Sequence, residues 1–384
     1  MKRFRPLIAL AASVALLGTV TFSTASEARQ LRFAVGFPSG APVAAAQLYA
    51  EAVSEFTDGE FSVRVHPLDL LGLGEMSGGV GQGIADVGYV LTLYWPSEFP
   101  HVNMAADINM LLAMNEDTDG KEGMAYAGAM AELIFHHCPE CNAEFAAQRQ
   151  VYTGGAASTG YTLLCNKPVA TLEQLDGARL RSGGASWARW SRAMNASPVS
   201  LPGNEIFEAM RQGVVDCAML SLPELSGLNI MDVATDITVA VPGGVFAGAG
   251  TTNVNTGVWQ GMSPEQRTAM LRAGAVMGAQ VSYLYREFAV RDTERAKERG
   301  VRFHDADPDL IEASHEFIRD DVERVAETYR QQHGVERAEE LIEIMGGLID
   351  KWLVLVEDVE SGEELAELYW NEVYSKVDVN QHGM

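Results

Sequence analysis

The sequence is poor in positive charge, in cysteine and in long apolar runs, and each shortage excludes a class of protein. Its 384 residues contain 28 Lys and Arg against 52 Asp and Glu, which gives a net charge of −24. Such an acidic surface repels phosphate groups, so neither nucleic acids nor anionic membranes are expected partners. Four cysteines are too few for a disulfide-built scaffold. Beyond residue 28 no long uncharged apolar run suggests insertion into a membrane.

Core-forming residues, by contrast, are abundant. The chain is 47% hydrophobic and 21% charged, which is enough apolar material to bury a large core. At about 100–200 residues per domain, this length predicts two domains or lobes.

The N-terminus has the pattern of a secretory signal peptide. Three of the first five residues are basic, and an uncharged apolar run over residues 7–22 precedes a group of small residues. Cleavage after Ala25 and cleavage after Ala28 fit equally well, and an uncleaved anchor is the alternative. Removing residues 1–28 takes away three cations and one anion, which changes the net charge from −24 to −26. We therefore expect a soluble protein exported to the periplasm.

Hydrophobic periodicity predicts strands that alternate with helices. Residues 31–37, 61–65 and 86–91 indicate three strands, with a helical segment ending before Gly59. This order predicts a mostly parallel sheet covered on both faces. Four later strands repeat the rhythm and predict a second α/β lobe. They are 161–165, 178–181, 198–201 and 214–220.

One helix is predicted to be longer than either lobe. Ser263, Pro264 and Gln266 form an N-cap and capping-box pattern, and no further proline or glycine cluster interrupts the segment before Gly300. About 36 helical residues span about 54 Å. A lobe of this size is only about 36 Å across, so the helix is expected to cross both lobes. Three more helices are predicted over residues 308–333, 335–357 and 361–374.

The segment 172–220 resembles the signature of the extracytoplasmic solute receptors of TRAP transporters. The segments 71–88 and 255–264 resemble the parts of the same family that flank this signature. Three blocks carry the similarity. They are D-G-x-R-L-R at 176–181, A-S-P-V at 196–199 and G-V-V-D at 213–216.

The resemblance implies an α/β, two-lobed, periplasmic-binding-protein-like fold with a hinge and a long helix across both lobes. Lobe 1 would comprise residues 29–152 and 241–262, and lobe 2 residues 153–240. The long helix would cover residues 263–300, and residues 301–384 would pack mainly on lobe 2. The implied function is non-catalytic: the lobes close on a small organic acid, which is then delivered to the membrane subunits of a TRAP permease.

Arg181 is the main candidate for binding this acid. An acidic protein that captures an anion needs a local cation, and the planar guanidinium can hold a carboxylate by two parallel hydrogen bonds. In the family that the sequence resembles, the last arginine of the D-G-x-R-L-R block makes this contact, and Arg181 is the matching residue.

Three second-lobe residues are further ligand-binding candidates. Trp187 follows Arg181 on a predicted helix and could exclude water from the site, although its spacing from Trp190 also fits a buried helix face. Glu205 matches an acidic position of the family. Tyr161 stands near the place where many members carry a second basic residue. Because residues 65–120 also contain no Lys or Arg, we expect a monocarboxylate, or a hydroxy- or oxo-acid with an apolar body, rather than a dicarboxylate.

The first-lobe candidates lie on predicted strand-to-helix loops, where open α/β sheets bind ligands. They are Phe37, Glu75, Tyr94 and Trp95.

Two other motifs suggest different chemistry. The cluster at residues 136–141 contains potential metal ligands, but so many ligands within one turn cannot easily surround zinc, and a disulfide between Cys138 and Cys141 is the simpler interpretation. Cys165 and Cys217 are expected to be buried thiols. A hydrolase using Ser158, or a metal at the cluster, is the alternative function. No catalytic constellation is evident, so we expect neither enzymatic activity nor a cofactor or metal.

Overall fold

The computed structural model describes residues 28–114 and 118–384. The predicted signal peptide therefore lies almost entirely outside the described residues. None of the helices in these ranges is long and apolar enough to span a membrane.

The described chain forms strands and helices in alternation. The strands are β1 (Arg29–Ala34), β2 (Phe61–His66), β3 (Val87–Leu91), β4 (Gln150–Val151), β5 (Gly155–Ala156), β6 (Tyr161–Cys165), β7 (Arg179–Ser182), β8 (Ser197–Ser200), β9 (Cys217–Ser221), β10 (Asp236–Val239), β11 (Ala249–Asn255) and β12 (Arg302–Asp305). The helices are α1 (Ala41–Phe56), α2 (Met76–Gly81), α3 (Pro100–Asp107), α4 (Glu122–Glu132), α5 (Pro139–Ala147), α6 (Leu172–Leu175), α7 (Ala185–Ala193), α8 (Ile206–Arg211), α9 (Glu224–Gly227), α10 (Thr256–Gln260), α11 (Pro264–Glu298), α12 (Pro308–His333), α13 (Ala338–Leu355) and α14 (Gly362–Glu372).

These strands form two sheets, one in each lobe. The first sheet has the order β2-β1-β3-β11-β4, with β5 also paired to β11, and the second has the order β12-β10-β6-β9-β7-β8. The pairs β1–β2, β1–β3, β7–β8 and β7–β9 are parallel. The pairs β11–β3, β6–β9 and β6–β10 are antiparallel, so each sheet is mostly parallel in strand direction with one reversed strand, β11 in the first sheet and β6 in the second. Each of these two strands is the first to follow a crossing of the chain, β6 into lobe 2 and β11 back into lobe 1, and local periodicity does not reveal their direction.

The chain crosses between the lobes between β5 and β6, between β10 and β11, and again from α11 into β12. Because β5 pairs with β11 in the first sheet, residues 155–156 belong to lobe 1, whereas the family resemblance implied lobe 2. The strand β12 pairs with β10 and extends the second sheet.

The helix α11 connects the lobes, and its start agrees with the sequence pattern. The Ser263 hydroxyl accepts a hydrogen bond from the Gln266 amide at 3.2 Å, and the Gln266 side chain accepts one from the Ser263 amide at 2.9 Å. These two bonds form the predicted capping box. Along its length α11 contacts α1, β5 and β11 of lobe 1 and α9 of lobe 2.

The helices α13 and α14 pack on lobe 1, so the prediction that residues 301–384 pack mainly on lobe 2 is wrong. The Trp352 indole lies against Gly128 of α4 and donates a hydrogen bond to Glu132 Oε2 at 2.7 Å. The Tyr369 hydroxyl donates to the carbonyl of Met124 at 2.6 Å. The periodicity of an amphipathic helix shows which of its faces is buried, but it does not show which lobe covers that face.

Both cysteine pairs are disulfide-bonded. Cys138 is bonded to Cys141, as the local spacing suggested, and the bond uses both thiols of the candidate metal cluster. Cys165 and Cys217, expected as thiols, are instead bonded to each other. They lie directly opposite one another on β6 and β9, and this register brings two positions 52 residues apart into bonding distance.

Gly347 provides a test of the helix α13. It is exposed in the helix interior, and no atom lies within 4 Å of the position that a Cβ would take. Alanine restricts the unfolded chain and favours the helix, so Gly347→Ala should raise the free energy of unfolding by about 0.5–1 kcal/mol. Urea denaturation checks this, and a lower free energy of unfolding would contradict the open surroundings of this position.

Candidate functional site

A cavity lies between the two lobes and contains about 440 Å³ of space not occupied by protein atoms, its opening to solvent included. Its walls come from both sheets, from the connections between the lobes and from α11. The lining residues are Phe37, Leu73, Tyr89, Leu91, Tyr94, Ala156, Ala157, Ser158, Tyr161, Arg181, Gly203, Leu220, Glu224, Leu228, Phe246 and Tyr285.

The strand β7 brings Arg181 to this cavity. Leu180 points into the core of lobe 2, whereas Arg179 and Arg181 share the other face because side chains alternate along a strand. Arg179, at the start of the strand, pairs with Asp216 at 2.8 Å. Arg181 is two residues nearer the carboxyl end, where α/β sheets bind their ligands, and is only 1% exposed.

The Arg181 guanidinium is held at two of its three nitrogens. Nε donates to the Leu201 carbonyl at 3.0 Å, and Nη2 donates to the Tyr94 hydroxyl at 3.0 Å. Nη1 is buried and has no hydrogen-bond acceptor among the described residues. No described carboxylate lies within 4.0 Å of the guanidinium either. A buried cation without a counter-ion is costly, and this one faces a cavity that a small anion could enter.

Tyr94 joins the two lobes at this point. Its hydroxyl oxygen accepts hydrogen bonds from Arg181 Nη2 and from the Gly203 amide, both at 3.0 Å. Tyr94 belongs to lobe 1, whereas Arg181 and Gly203 belong to lobe 2. Since the oxygen accepts both bonds, the tyrosine retains its own proton for donation to a third partner.

Aromatic rings form the apolar part of the wall. The ring of Tyr161 stacks on Trp187 with centroids 4.2 Å apart, and Phe246 lies beside both rings, 6.5 Å from Tyr161 and 6.1 Å from Trp187. The Trp187 indole donates a hydrogen bond to the Gly243 carbonyl at 3.0 Å, which fixes the orientation of the stack. Burial also raises the pKa of Tyr161, so its hydroxyl stays protonated.

A second polar group, Glu224, lines the same cavity. It is the first residue of α9, shortly after β9, and is 6% exposed. The Tyr285 hydroxyl, from α11, donates a hydrogen bond to Glu224 Oε1 at 2.5 Å. Burial raises the pKa of Glu224 to about 7, against the opposing effects of the Tyr285 hydrogen bond and the Arg181 charge.

The structure brings four of the predicted site residues together and separates the other four from the cavity. Those that line it are Phe37, Tyr94, Tyr161 and Arg181. Trp187 is fully buried behind Tyr161 and supports it without lining the cavity.

The remaining three predicted residues have other surroundings. Glu75 is exposed, and its carboxylate accepts a hydrogen bond from the Gly72 amide at 3.1 Å, which caps the short helix over 73–75. Glu205 is exposed. Trp95 is half-buried and packs against a small apolar cluster that includes Met76.

Several residues that line the cavity were not predicted from the sequence. Glu224 follows a predicted strand by a few residues, so the strand-end rule that selected the first-lobe candidates would also have found it. Tyr285 lies in the interior of a long helix, where nothing local distinguishes it from other buried positions. The other missed polar or aromatic residues are Tyr89 and Phe246.

The surroundings of Ser158 do not resemble those of a catalytic serine. Its hydroxyl donates to the Thr159 carbonyl at 2.9 Å and accepts from the Phe246 amide at 2.9 Å. No histidine is among the residues that line the cavity beside it. An activated serine needs a base within hydrogen-bond reach. Within the described residues, no group of three or more potential ligands is arranged to hold a metal ion.

Comparison with known proteins agrees with this architecture. The chain is similar to a benzoate-bound TRAP solute-binding protein from Rhodoferax ferrireducens T118 (15% identity, TM-score 0.70), with 85% of this chain and 99% of that chain covered. It is also similar to DctP7, an extracytoplasmic solute receptor of Bordetella pertussis that binds pyroglutamic acid (20% identity, TM-score 0.69), with 83% and 100% covered. These likenesses confirm the predicted two-lobed α/β fold.

A curated relative, a solute-binding protein of Albidiferax ferrireducens, is 29% identical over 124 residues, which cover 32% of this chain. The match spans only 35% of that relative's own length. The broadest evidence is a family match: residues 38–328 match the bacterial extracellular solute-binding protein, family 7. The predicted relationship to TRAP receptors is confirmed, and the chain belongs to this family of solute-binding receptors, which are not enzymes.

Proposed function

We propose that this protein captures a small monocarboxylate in the periplasm, between its two lobes, and delivers it to the membrane subunits of a TRAP permease. The observation that carries this proposal is Arg181, a buried cation that lines the cavity and whose Nη1 has no acceptor among the described residues. A carboxylate placed there would pair with the guanidinium and satisfy this donor. The low dielectric of the cleft would strengthen the ion pair.

A single negative charge fits the cavity better than two. Arg181 is the one Lys or Arg among the residues that line it, so a second carboxylate would find no cation to pair with in the cavity. Aromatic and aliphatic side chains such as Phe37, Tyr89 and Phe246 suit an apolar body. Relatives that bind benzoate and pyroglutamic acid, both monocarboxylates, support the same class of ligand.

Tyr94 offers a mechanism for coupling binding to closure of the lobes. A carboxylate that contacts both Arg181 and the Tyr94 hydroxyl proton would interact with lobe 2 and lobe 1 together. Such a ligand binds the closed arrangement more tightly than an open one, and it therefore shifts the population toward closure. The permease can then distinguish the loaded receptor by its shape.

Isothermal titration calorimetry on the chain without residues 1–28 tests the proposal. After a thermal-shift screen of organic acids, we expect at least one monocarboxylate to bind with a Kd of about 1 μM, equivalent to about −8.2 kcal/mol. Its uncharged primary amide is the matched control and should bind at least about 100-fold more weakly, because it cannot pair with a guanidinium. Failure of every acid, or equal binding of the amide, would overturn the proposed function.

A further inference from the structure

Glu224 is a buried carboxyl group with one oxygen engaged and one available. Oε1 accepts the hydrogen bond from the Tyr285 hydroxyl at 2.5 Å, whereas Oε2 accepts none from the described residues. The residue lines the same cavity as Arg181. No described cation lies within 4.0 Å of its carboxyl group. It is therefore a second polar site in the cavity, distinct from the carboxylate site at Arg181.

The surroundings of Glu224 disfavour its ionised form once a ligand carboxylate has neutralised the Arg181 guanidinium. Asp292, also on α11, adds negative potential, and burial disfavours ionisation. The hydroxyls of Tyr89 on β3, Tyr161 on β6 and Tyr285 on α11 are uncharged, since the pKa of each tyrosine is raised by burial. Only the positive charge of Arg181 and the Tyr285 hydrogen bond favour the anion.

We propose, on the basis of the function proposed above, that Glu224 takes up one proton when the ligand binds and donates it in a hydrogen bond to a neutral oxygen of that ligand. The reaction is a simple protonation: the Glu224 carboxylate and one proton from solvent give the carboxylic acid, with the proton on Oε2. The ligand carboxylate cancels the charge of Arg181, and an unpaired carboxylate in the closed cavity would then be costly.

This proposal narrows the ligand to a monocarboxylate that carries a hydroxyl or carbonyl oxygen away from its carboxylate. A neutral oxygen can accept the Glu224 proton, whereas an alkyl or unsubstituted aryl group would leave the carboxylic acid without a partner. A site built to hydrogen-bond a ligand oxygen discriminates strongly against an analogue that lacks it.

Two matched pairs of acids probe this second site. They are 3-hydroxybenzoate with benzoate, and pyroglutamate with cyclopentanecarboxylate. For at least one pair, the wild-type protein should bind the oxygen-bearing acid about 10-fold or more tightly. Its affinity should fall as the pH rises above about 7, by up to about tenfold per pH unit. Titration in two buffers of different ionisation enthalpy should show proton uptake.

Variants of Glu224 test whether this residue causes the preference, the pH dependence and the proton uptake. Glu224→Gln, which donates from an amide, should keep the preference for the oxygen-bearing acid but bind without pH dependence and without proton uptake. Glu224→Leu should lose the preference. Glu173→Gln, at an exposed glutamate of α6 in the same lobe and outside the cavity, is the control and should follow the wild type. If Glu224→Gln does not fold, Tyr285→Phe replaces it, because loss of its hydrogen bond should move the wild-type pH profile to higher pH.

The outcomes separate this inference from the proposed function. The role of Glu224 would be wrong if the acids bound the wild-type protein only in the presence of Arg181 but without proton uptake, and if Glu224→Gln had the same pH profile as the wild type. The receptor function would then still stand. If none of the four acids binds although another acid of the screen does, the role of Glu224 is overturned and the receptor function stands. If Arg181→Ala binds the acids as well as the wild type, both proposals fail.

Discussion

Arg181→Ala should reduce the affinity for the acid ligand by about 100- to 1,000-fold. Truncating one partner of a buried, hydrogen-bonded charge pair costs about 3–4 kcal/mol. The loss should be concentrated in the dissociation rate, because the charge acts inside the closed cleft rather than at long range. Calorimetry measures the affinity, and stopped-flow fluorescence of the buried tryptophans measures the rates.

Arg181→Lys should lose nearly as much affinity as Arg181→Ala. The ammonium group keeps the charge, but it cannot donate at once to Leu201, to Tyr94 and, in parallel, to the ligand as the planar guanidinium can. The melting curve of ligand-free Arg181→Ala should stay close to that of the wild type, because removing a buried charge without a carboxylate partner also removes a desolvation cost.

Arg179→Ala is the matched control for this experiment. Arg179 lies on the same strand and the same face, but it is exposed and paired with Asp216 at 2.8 Å. Its loss should leave the affinity within about twofold of the wild type and change the stability only slightly, because exposed ion pairs contribute little. If Arg179→Ala weakened binding as much as Arg181→Ala, or if Arg181→Ala kept full affinity, the assignment of the anion site would be wrong.

Gly278→Ala should destabilise the protein by about 2–3 kcal/mol, against the usual preference of helices for alanine. Gly278 lies in the middle of α11, and a Cβ at this position would collide with the backbone carbonyl oxygen of Gly155 in β5. Gly274, one turn earlier, has the same relation to the carbonyl of Thr153. The helix therefore approaches β5 and the segment just before it at two glycines, and backbone cannot move aside as a flexible side chain can.

Urea and thermal denaturation of Gly278→Ala measure this loss, with Gly347→Ala as the control of opposite sign. The two substitutions are chemically identical, and both positions lie inside helices, so helix propensity cancels in the comparison. The difference between them reports the close contact between α11 and β5. Equal stabilisation by both would show that α11 can move away from the strand. Because β5 leads into Ala157 and Ser158 of the cavity wall, Gly278→Ala should also weaken ligand binding.

The sequence alone was enough to predict those structural features whose physical cause is local. The capping residues Ser263 and Gln266 determine where α11 begins, because the hydrogen bonds that cap the N-terminus of a helix join residues only three positions apart. The short, mostly apolar run at residues 161–165 predicts the strand β6, which the structure has at the same residues. Arg181 was found because its motif resembles that of a family and because an acidic receptor for an anion needs one cation in its site.

Tertiary structure decided what depends on elements far apart in the chain. Trp187 and Trp190 share a helix face by their spacing, but only the packing of α7 puts the Trp187 ring behind Tyr161 rather than in the cavity. The antiparallel register of β6 and β9 joins Cys165 to Cys217. Glu224 and Tyr285, 61 residues apart, meet at 2.5 Å because α11 crosses from one lobe to the other. Periodicity identifies the face that a segment buries, whereas the neighbour that covers this face is determined by the whole chain.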